Sequence, residues 1–127
     1  MTTAAQLRTR YAQDTVGTAS PARLLTMLYD RLSRDLLNAE QAAVVRDIPA
    51  THNNLMHAQE IISELAATLD VSGWEGGESL LSIYEYCLQE LFQANVRKDV
   101  QRIHSVREII EPLREAWHQA ARQVDGR

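Results

Sequence analysis

The sequence predicts an all-α protein, folded as an antiparallel up-and-down four-helix bundle with a loose N-terminal arm. Two observations predict this class. The 127 residues include only five Gly and three Pro, which are few turn-forming residues for an all-β protein with many turns. Apolar residues also recur at steps of three and four in four separate stretches, as in helices with one buried face. Short connections between such helices favour antiparallel neighbours.

The first helix is predicted over residues 20–46, after an arm of residues 1–19 that shows no sustained period. Ser20 can cap the free N–H groups of this helix. Pro21 at the first helical position loses no hydrogen bond, because its N–H would be unpaired there. Residues 123–127 are predicted to form a short C-terminal tail. The apolar seam of the first helix is Leu25, Leu28, Leu32, Leu36, Ala39 and Ala43.

The second helix is predicted over residues 49–69. Pro49 disfavours helical conformation in the residue before it but suits the start of a new helix, so the first helix must end near Asp47. The glycine-containing stretch 70–77 then forms the longest predicted loop of the bundle. The seam of the second helix is Leu55, Ala58, Ile62, Leu65 and Leu69.

The third and fourth helices are predicted over residues 78–96 and 99–122. Apolar residues of the third helix cover an arc of roughly 220°, about twice the width of one core-facing stripe. They are Leu80, Leu81, Ile83, Tyr84, Cys87, Leu88, Leu91, Phe92 and Ala94. In the fourth helix Asp99 is the expected cap, and Pro112 should introduce a kink near Glu108. Its seam is Ile103, Val106, Ile110, Leu113 and Trp117.

The cysteine content and the lengths of the apolar runs indicate the cellular compartment of the protein. The single cysteine, Cys87, cannot form an internal disulfide, and the first twenty residues hold no apolar run like a signal peptide core. No stretch approaches 18 consecutive apolar residues, so membrane insertion is not expected. A cytoplasmic protein is predicted.

The charge is unevenly distributed along the chain. Residues 47–96 hold eight acidic residues and no Lys or Arg, whereas residues 1–20, 21–46 and 97–127 carry net charges of +1, +1 and +2. An acidic middle argues against nucleic acid, whose phosphates require a basic face. The acidic stretch is either a solvated surface or a site that attracts a charged partner, and the sequence leaves both open.

No chemistry of an enzyme or a metal site is indicated by the sequence. A two-metal bundle site needs two Glu-x-x-His motifs, and only Glu115 to His118 has that order. For histidine phosphotransfer, His57 lacks the neighbouring Lys or Gly that would accommodate a phosphate carried on its ring. Cys87 has no basic neighbour and is expected to be a buried, inert thiol. We therefore predict no catalytic residue, no metal and no cofactor.

The surplus apolar surface of the third helix has two explanations. Ile61 and Ile109 add to it, since each lies about 100° from the seam of its own helix. The third helix could be covered on two sides by a thick core, or it could line a groove for a partner helix. The pattern alone does not decide between them.

Several short motifs in order along the chain are those of a known family. They are Tyr11-Ala12-Gln13, Thr18-Ala19-Ser20-Pro21, Leu24 to Asp30, Ala58 to Ile62, Glu64-Leu65, Leu81 to Tyr86, Leu91, Gln93 to Asn95, Asp99 and Leu113 to Trp117. In this order and spacing the sequence resembles the flagellar export chaperone family FliS. Arg31 and Pro112 depart from the family pattern, which commonly has Gly and an ordinary helix former there.

The resemblance implies a cytoplasmic chaperone that binds the disordered C-terminal tail of flagellin, prevents premature polymerisation and presents the cargo to the type III export gate. An anti-sigma factor is a possible second partner, and neither a cofactor nor a metal is implied. The tail would fold into helices against grooves on the bundle. An unrelated four-helix adaptor and a histidine phosphotransfer protein are the alternatives.

Two sets of site residues follow as predictions. The groove is expected between the second, third and fourth helices, and its candidate residues are Ile61, Leu65, Tyr84, Leu88 and Leu91. An empty groove would expose apolar surface to water, so the arm is expected to fold over it as a cap. The anchors of that cap would be Leu7, Tyr11 and Val16.

Overall fold

The fold is given by a computed structural model that describes residues 21–73 and 75–125. Its helices are α1 (Pro21–Val44), α2 (Ile48–Thr68), α3 (Gly77–Arg97) and α4 (Val100–Asp125), and a 3-10 turn at Val71–Gly73 lies between α2 and α3. The described residues contain no strand, and the predicted all-α four-helix class is confirmed. The arm, with Leu7, Tyr11 and Val16, and the capping residue Ser20 lie outside the described residues.

The helices are antiparallel to their neighbours around the bundle. On the α1–α4 side, Arg107 donates to Glu40 at 2.8 Å while Arg114 donates to Asp30 at 3.0 Å, so the two helices run in opposite directions. Contacts also join the other neighbouring pairs, and they are His57 with Asp35, His52 with Asn95, and Arg102 with Glu90. The helix α1 therefore packs between α2 and α4 and lies diagonally opposite α3.

The connection between α1 and α2 is a tight reversal without glycine. Arg46 adopts a left-handed conformation with φ 61°. Its N–H donates to the carbonyl of Ala43 at 3.1 Å, and the N–H of Asp47 donates to that of Ala42 at 2.9 Å, which satisfies two carbonyls at the end of α1. Asp47 then caps α2, because its side chain accepts the N–H of Ala50 at 3.2 Å.

The connection between α3 and α4 repeats this arrangement. Lys98 has φ 53°, and the N–H of Asp99 donates to the carbonyl of Ala94 at 2.9 Å. The side chain of Asp99 accepts the N–H groups of Gln101 and Arg102 at 3.0 and 3.2 Å. The predicted cap of the fourth helix is therefore confirmed. Both reversals lie at the same end of the bundle.

Pro112 lies inside α4, which continues across it from Val100 to Asp125. The proline side chain is exposed, so it lies on the outer face of the bundle. There, water can donate to the carbonyl of Glu108, which the missing N–H of proline leaves without its helical hydrogen bond. The proline does not end the helix, and the predicted kink near Glu108 stays a prediction.

The core is one apolar cluster that all four helices supply. Its largest fully buried side chains include Tyr29, Leu32, Leu36, Leu55, Ile62, Tyr84, Leu91, Ile103 and Ile110. The rings of Tyr29 and Trp117 pack against each other, with centroids 6.4 Å apart and planes inclined at 44°. The seams predicted from periodicity thus supply most of the core, and α3 contributes to it from the diagonal position.

Candidate functional site

Four of the five predicted groove residues lie in the core. Ile61, Leu65, Tyr84 and Leu91 are all buried, and only Leu88 is partly exposed. The apolar character that makes these residues groove candidates also places them inside the bundle. Whether they contact a partner stays a prediction, but their first role is to hold the fold.

The outward side of the α2–α3 pair carries other apolar residues. The contact between His52 and Asn95, with 3.0 Å between His52 Nδ1 and Asn95 Nδ2, fixes how the two antiparallel helices face each other. Met56 lies one turn after His52, and Phe92 lies one turn before Asn95. Residues three or four apart share a helix face, so Met56 and Phe92 come together on the same side of the pair.

We call the surface formed by Met56, Leu81, Leu88, Phe92 and Val96 the α2–α3 groove. Exposed fractions are 42% for Met56, 58% for Phe92 and 65% for Val96. Leu88 is partly buried against the core, and Leu81, about three turns before Phe92 on α3, is partly buried as well. Large apolar side chains that face water side by side are typical of protein-binding surfaces. The groove is therefore suited to receive an apolar helix.

The other edge of α3 carries a smaller apolar strip next to α4. Tyr86 is exposed there, and Ile83 and Ile109 are partly buried against the core. Arg102 bridges this edge by donating to Glu90 at 3.3 Å. The wide apolar arc of the third helix is thus explained in both ways: its centre belongs to the core, and its two margins reach the surface.

The acidic stretch differs from the other carboxylates whose side chains the structure describes. Of the eight acidic residues in 47–96, only Glu90 forms an ion pair with a basic side chain in the described part of the molecule. The seven that form no ion pair with another described residue are Asp47, Glu60, Glu64, Asp70, Glu75, Glu78 and Glu85. The surface formed by α2 and α3 therefore carries excess negative charge that the bundle itself does not neutralise.

The α1–α4 face, by contrast, is closed by internal ion pairs. Asp30 contacts both Arg114, at 3.0 Å, and His118 Nε2, at 2.7 Å. Burial acts to raise the pKa of Asp30, but hydrogen bonds from His118 and Arg114 outweigh it, so the pKa lies below its usual range. Arg107 and His104 both contact Glu40. Charges on this face are used to join helices.

The described residues offer little for catalysis. Cys87 is fully buried, and burial, with Glu90 as a smaller cause, raises the pKa of its thiol to about 11. His57 is bonded through Nδ1 to the buried carboxylate of Asp35, which joins α2 to α1. No group of three or more His, Cys, Asp or Glu side chains in the described ranges could hold a metal ion. Among the same residues, no helix is both long and apolar enough to cross a membrane.

Comparison with known proteins identifies the family of the chain. A family model described as "Flagellar protein FliS" matches residues 3–124. This chain belongs to the FliS family. The resemblance to FliS seen in the short motifs therefore extends over nearly the whole chain. The alternative prediction, an adaptor unrelated to FliS, is wrong.

Individual FliS relatives cover most of the chain and most of their own length. The chain is 36% identical over 112 residues to the flagellar secretion chaperone FliS of Bacillus subtilis (strain 168). The aligned region spans 88% of this chain and 84% of that protein. It is 35% identical over 109 residues to the flagellar secretion chaperone FliS of Salmonella typhimurium, and this region spans 84% of this chain and 81% of that protein. The relative of the same name from Campylobacter jejuni is 32% identical over 110 residues, covering 86% of each chain.

Proposed function

We propose that the chain is a cytoplasmic export chaperone that binds the disordered C-terminal tail of flagellin. The observation that carries the proposal is the exposed α2–α3 groove in a member of the FliS family, whose relatives are named flagellar secretion chaperones. A disordered tail can fold into a helix as it lies in such a groove, so that the ordering entropy is lost only on binding. The chain works by binding, without a covalent step.

Covering the tail would serve two purposes in this proposal. A flagellin tail held on the chaperone is unable to take part in premature polymerisation, and the complex is presented to the type III export gate. An anti-sigma factor is a further proposed partner. None of these steps calls for a nucleotide, a metal or a cofactor.

The groove is tested with a charge placed in its centre. Phe92→Asp should weaken binding of a flagellin C-terminal peptide by at least about 100-fold, because a carboxylate would be desolvated under the partner helix. The matched control is Met27→Asp, since Met27 is 57% exposed, close to the 58% of Phe92, but lies on α1, diagonally opposite α3. Binding is measured by fluorescence anisotropy, and circular dichroism checks the fold of both variants.

The result separates a groove from a general apolar effect. Loss of binding in both variants, or in neither, would show that the α2–α3 groove is not the tail site. Core substitutions such as Leu91→Asp are unsuitable for this purpose, because Leu91 is fully buried and its replacement would unfold the bundle.

The cap predicted for Leu7, Tyr11 and Val16 is part of the same proposal. If the arm covers the groove, it competes with flagellin, and the apparent dissociation constant rises in inverse proportion to the fraction of open molecules. Deleting residues 1–17 should then increase binding of a hydrophobic dye and speed association with the tail peptide. Unchanged dye binding with an unchanged association rate would refute the cap.

A further inference from the structure

The exposed apolar residues of the α2–α3 groove lie toward one end, whereas carboxylates lie toward the other end, beside the partly buried Leu81. On α3, Glu78, Glu85 and Phe92 are spaced seven residues apart, which places all three along one line of the helix surface. On α2, Glu60 lies one turn after Met56 on the same face. Because the helices are antiparallel, the apolar residues of both walls meet near the 44–48 and 97–100 reversals, and the carboxylates meet toward the opposite end.

The distances along this line are set by helix geometry. With a rise of about 1.5 Å per residue, Glu85 lies about 10 Å and Glu78 about 21 Å from Phe92 along α3. Glu60, Glu78 and Glu85 are exposed, and none of them forms an ion pair within the described residues. A bound partner would therefore meet an apolar anchor site first and unpaired carboxylates two to four turns further along.

We propose that this groove selects a cationic amphipathic helix and fixes the direction in which it lies. Its apolar residues would pack on Met56, Phe92 and Val96, and Lys or Arg side chains further along would pair with Glu60, Glu85 and Glu78. The positive end of the partner's helix dipole favours the same arrangement, with its N-terminus toward the carboxylates. The inference rests on the proposed function, since it describes the flagellin segment that would lie in the groove.

The unpaired charge also predicts how binding depends on salt. Complementary charge increases the association rate more than it increases the affinity, and the attraction is screened as ionic strength rises. The ion pairs of the α1–α4 face are already formed between helices of the bundle, so that face has no comparable unneutralised charge. The attraction is therefore expected to act specifically at α2 and α3.

The test measures association of a flagellin C-terminal peptide with the full chain by stopped flow. The association rate should fall about tenfold or more between 50 and 500 mM NaCl. At low salt, the variant Glu78→Lys with Glu85→Lys should associate about tenfold more slowly than the original chain. A control with the same charge change per site, Glu115→Lys on the exposed face of α4, should change the rate less than twofold. Circular dichroism checks that each variant is folded.

Different failures point to different errors. If the peptide binds and Phe92→Asp abolishes binding, but the rate is insensitive to salt and to the Glu78 and Glu85 reversals, the groove stands and the charge selection is refuted. Glu115→Lys changes the net charge half as much as the double reversal, so a loss of roughly threefold or more in its association rate would also refute the charge selection, because only net charge would then matter. Absence of peptide binding at every salt concentration would refute the proposed function and this inference together.

Discussion

Tyr29 and Tyr84 are hydrogen-bonded to each other through their hydroxyl groups at the centre of the bundle. They come from α1 and α3, the two helices that face each other diagonally. Burial is the main cause that raises the pKa of both hydroxyls, so both stay protonated and can share the bond. The pair therefore ties together two helices that are not neighbours around the bundle.

Removing one hydroxyl should be worse than removing both. Tyr84→Phe would leave the Tyr29 hydroxyl buried without this partner, which should lower the free energy of unfolding by about 1–3 kcal/mol. Tyr29→Phe should have a similar effect. The double variant leaves neither hydroxyl in the core, so it should be closer to the original chain than the sum of the single changes predicts. Urea unfolding followed by circular dichroism measures the free energy of unfolding of the original chain, the two single variants and the double variant. Additive losses in the double variant would contradict the pairing.

The third helix is where sequence periodicity no longer separates core residues from surface residues. The seams of helices one, two and four are narrow, so their period identifies core residues such as Leu36, Ile62 and Ile110. The third helix is apolar over too wide an arc for its period to show which residues face inward. Phe92 belonged to that arc, yet only the packing of α3 against α2 shows that it is exposed.

The two glycine-free reversals were only partly predictable. Pro49 shows in the sequence that the first helix must end, and Asp99 is recognisable as a cap. The left-handed residues before the caps are Arg46 and Lys98, and neither is a residue type that signals this conformation. Composition therefore predicts the breaks but not their geometry.

Glycine at position 46 should stabilise the protein. A left-handed conformation is unfavourable for Arg by about 1 kcal/mol, and Gly avoids that penalty. Arg46→Gly should therefore raise the free energy of unfolding by up to about 1 kcal/mol, measured by urea unfolding. Arg34→Gly is the control, because Arg34 is exposed within α1 and glycine there should lower the same free energy by about 1 kcal/mol. Changes of the same sign at both positions would contradict the assignment.

Gly77, the first residue of α3, has no space for a side chain. A Cβ at this position would lie 2.5 Å from the carbonyl oxygen of Val71, which is backbone and cannot rotate away. Gly77→Ala should therefore destabilise the chain by about 1–3 kcal/mol in thermal unfolding. At Gly73 the nearest atom to a new Cβ is the flexible side chain of Asp70, at 2.9 Å, so Gly73→Ala should have a smaller effect. Equal effects would show that the α2–α3 connection can move.

Cys87 should be unreactive in the folded protein. Its thiol is fully buried, and with its pKa raised to about 11 only about one molecule in a thousand would carry a thiolate at pH 8. A disulfide reagent such as Ellman's reagent should react with it only after unfolding in guanidinium chloride. A Ser82→Cys variant supplies the control, since Ser82 is exposed on the same helix and its thiol should react at once. Rapid reaction of two thiols in that folded variant would contradict the burial of Cys87.

The contacts of Asp30 predict an acid-sensitive contribution to stability. Because the folded-state pKa of Asp30 is lowered, the contribution is present above the unfolded-state pKa of about 3.9 and is lost as the pH falls through the lower folded-state value. Asp30→Asn should therefore lower the free energy of unfolding at pH 6 by less than about 1 kcal/mol, since the side chain is 43% exposed.

The difference between Asp30→Asn and the original chain should shrink as the pH approaches 3, in urea unfolding repeated at several pH values. The control removes the groups that lower the pKa, with Arg114→Gln and His118→Gln together. In that background Asp30→Asn should have a smaller effect at pH 6, because the carboxylate has lost the partners that favour its charged form. An effect of Asp30→Asn that is equally large at pH 3 and pH 6 in the original chain would show that the carboxylate acts through packing, not through its charge.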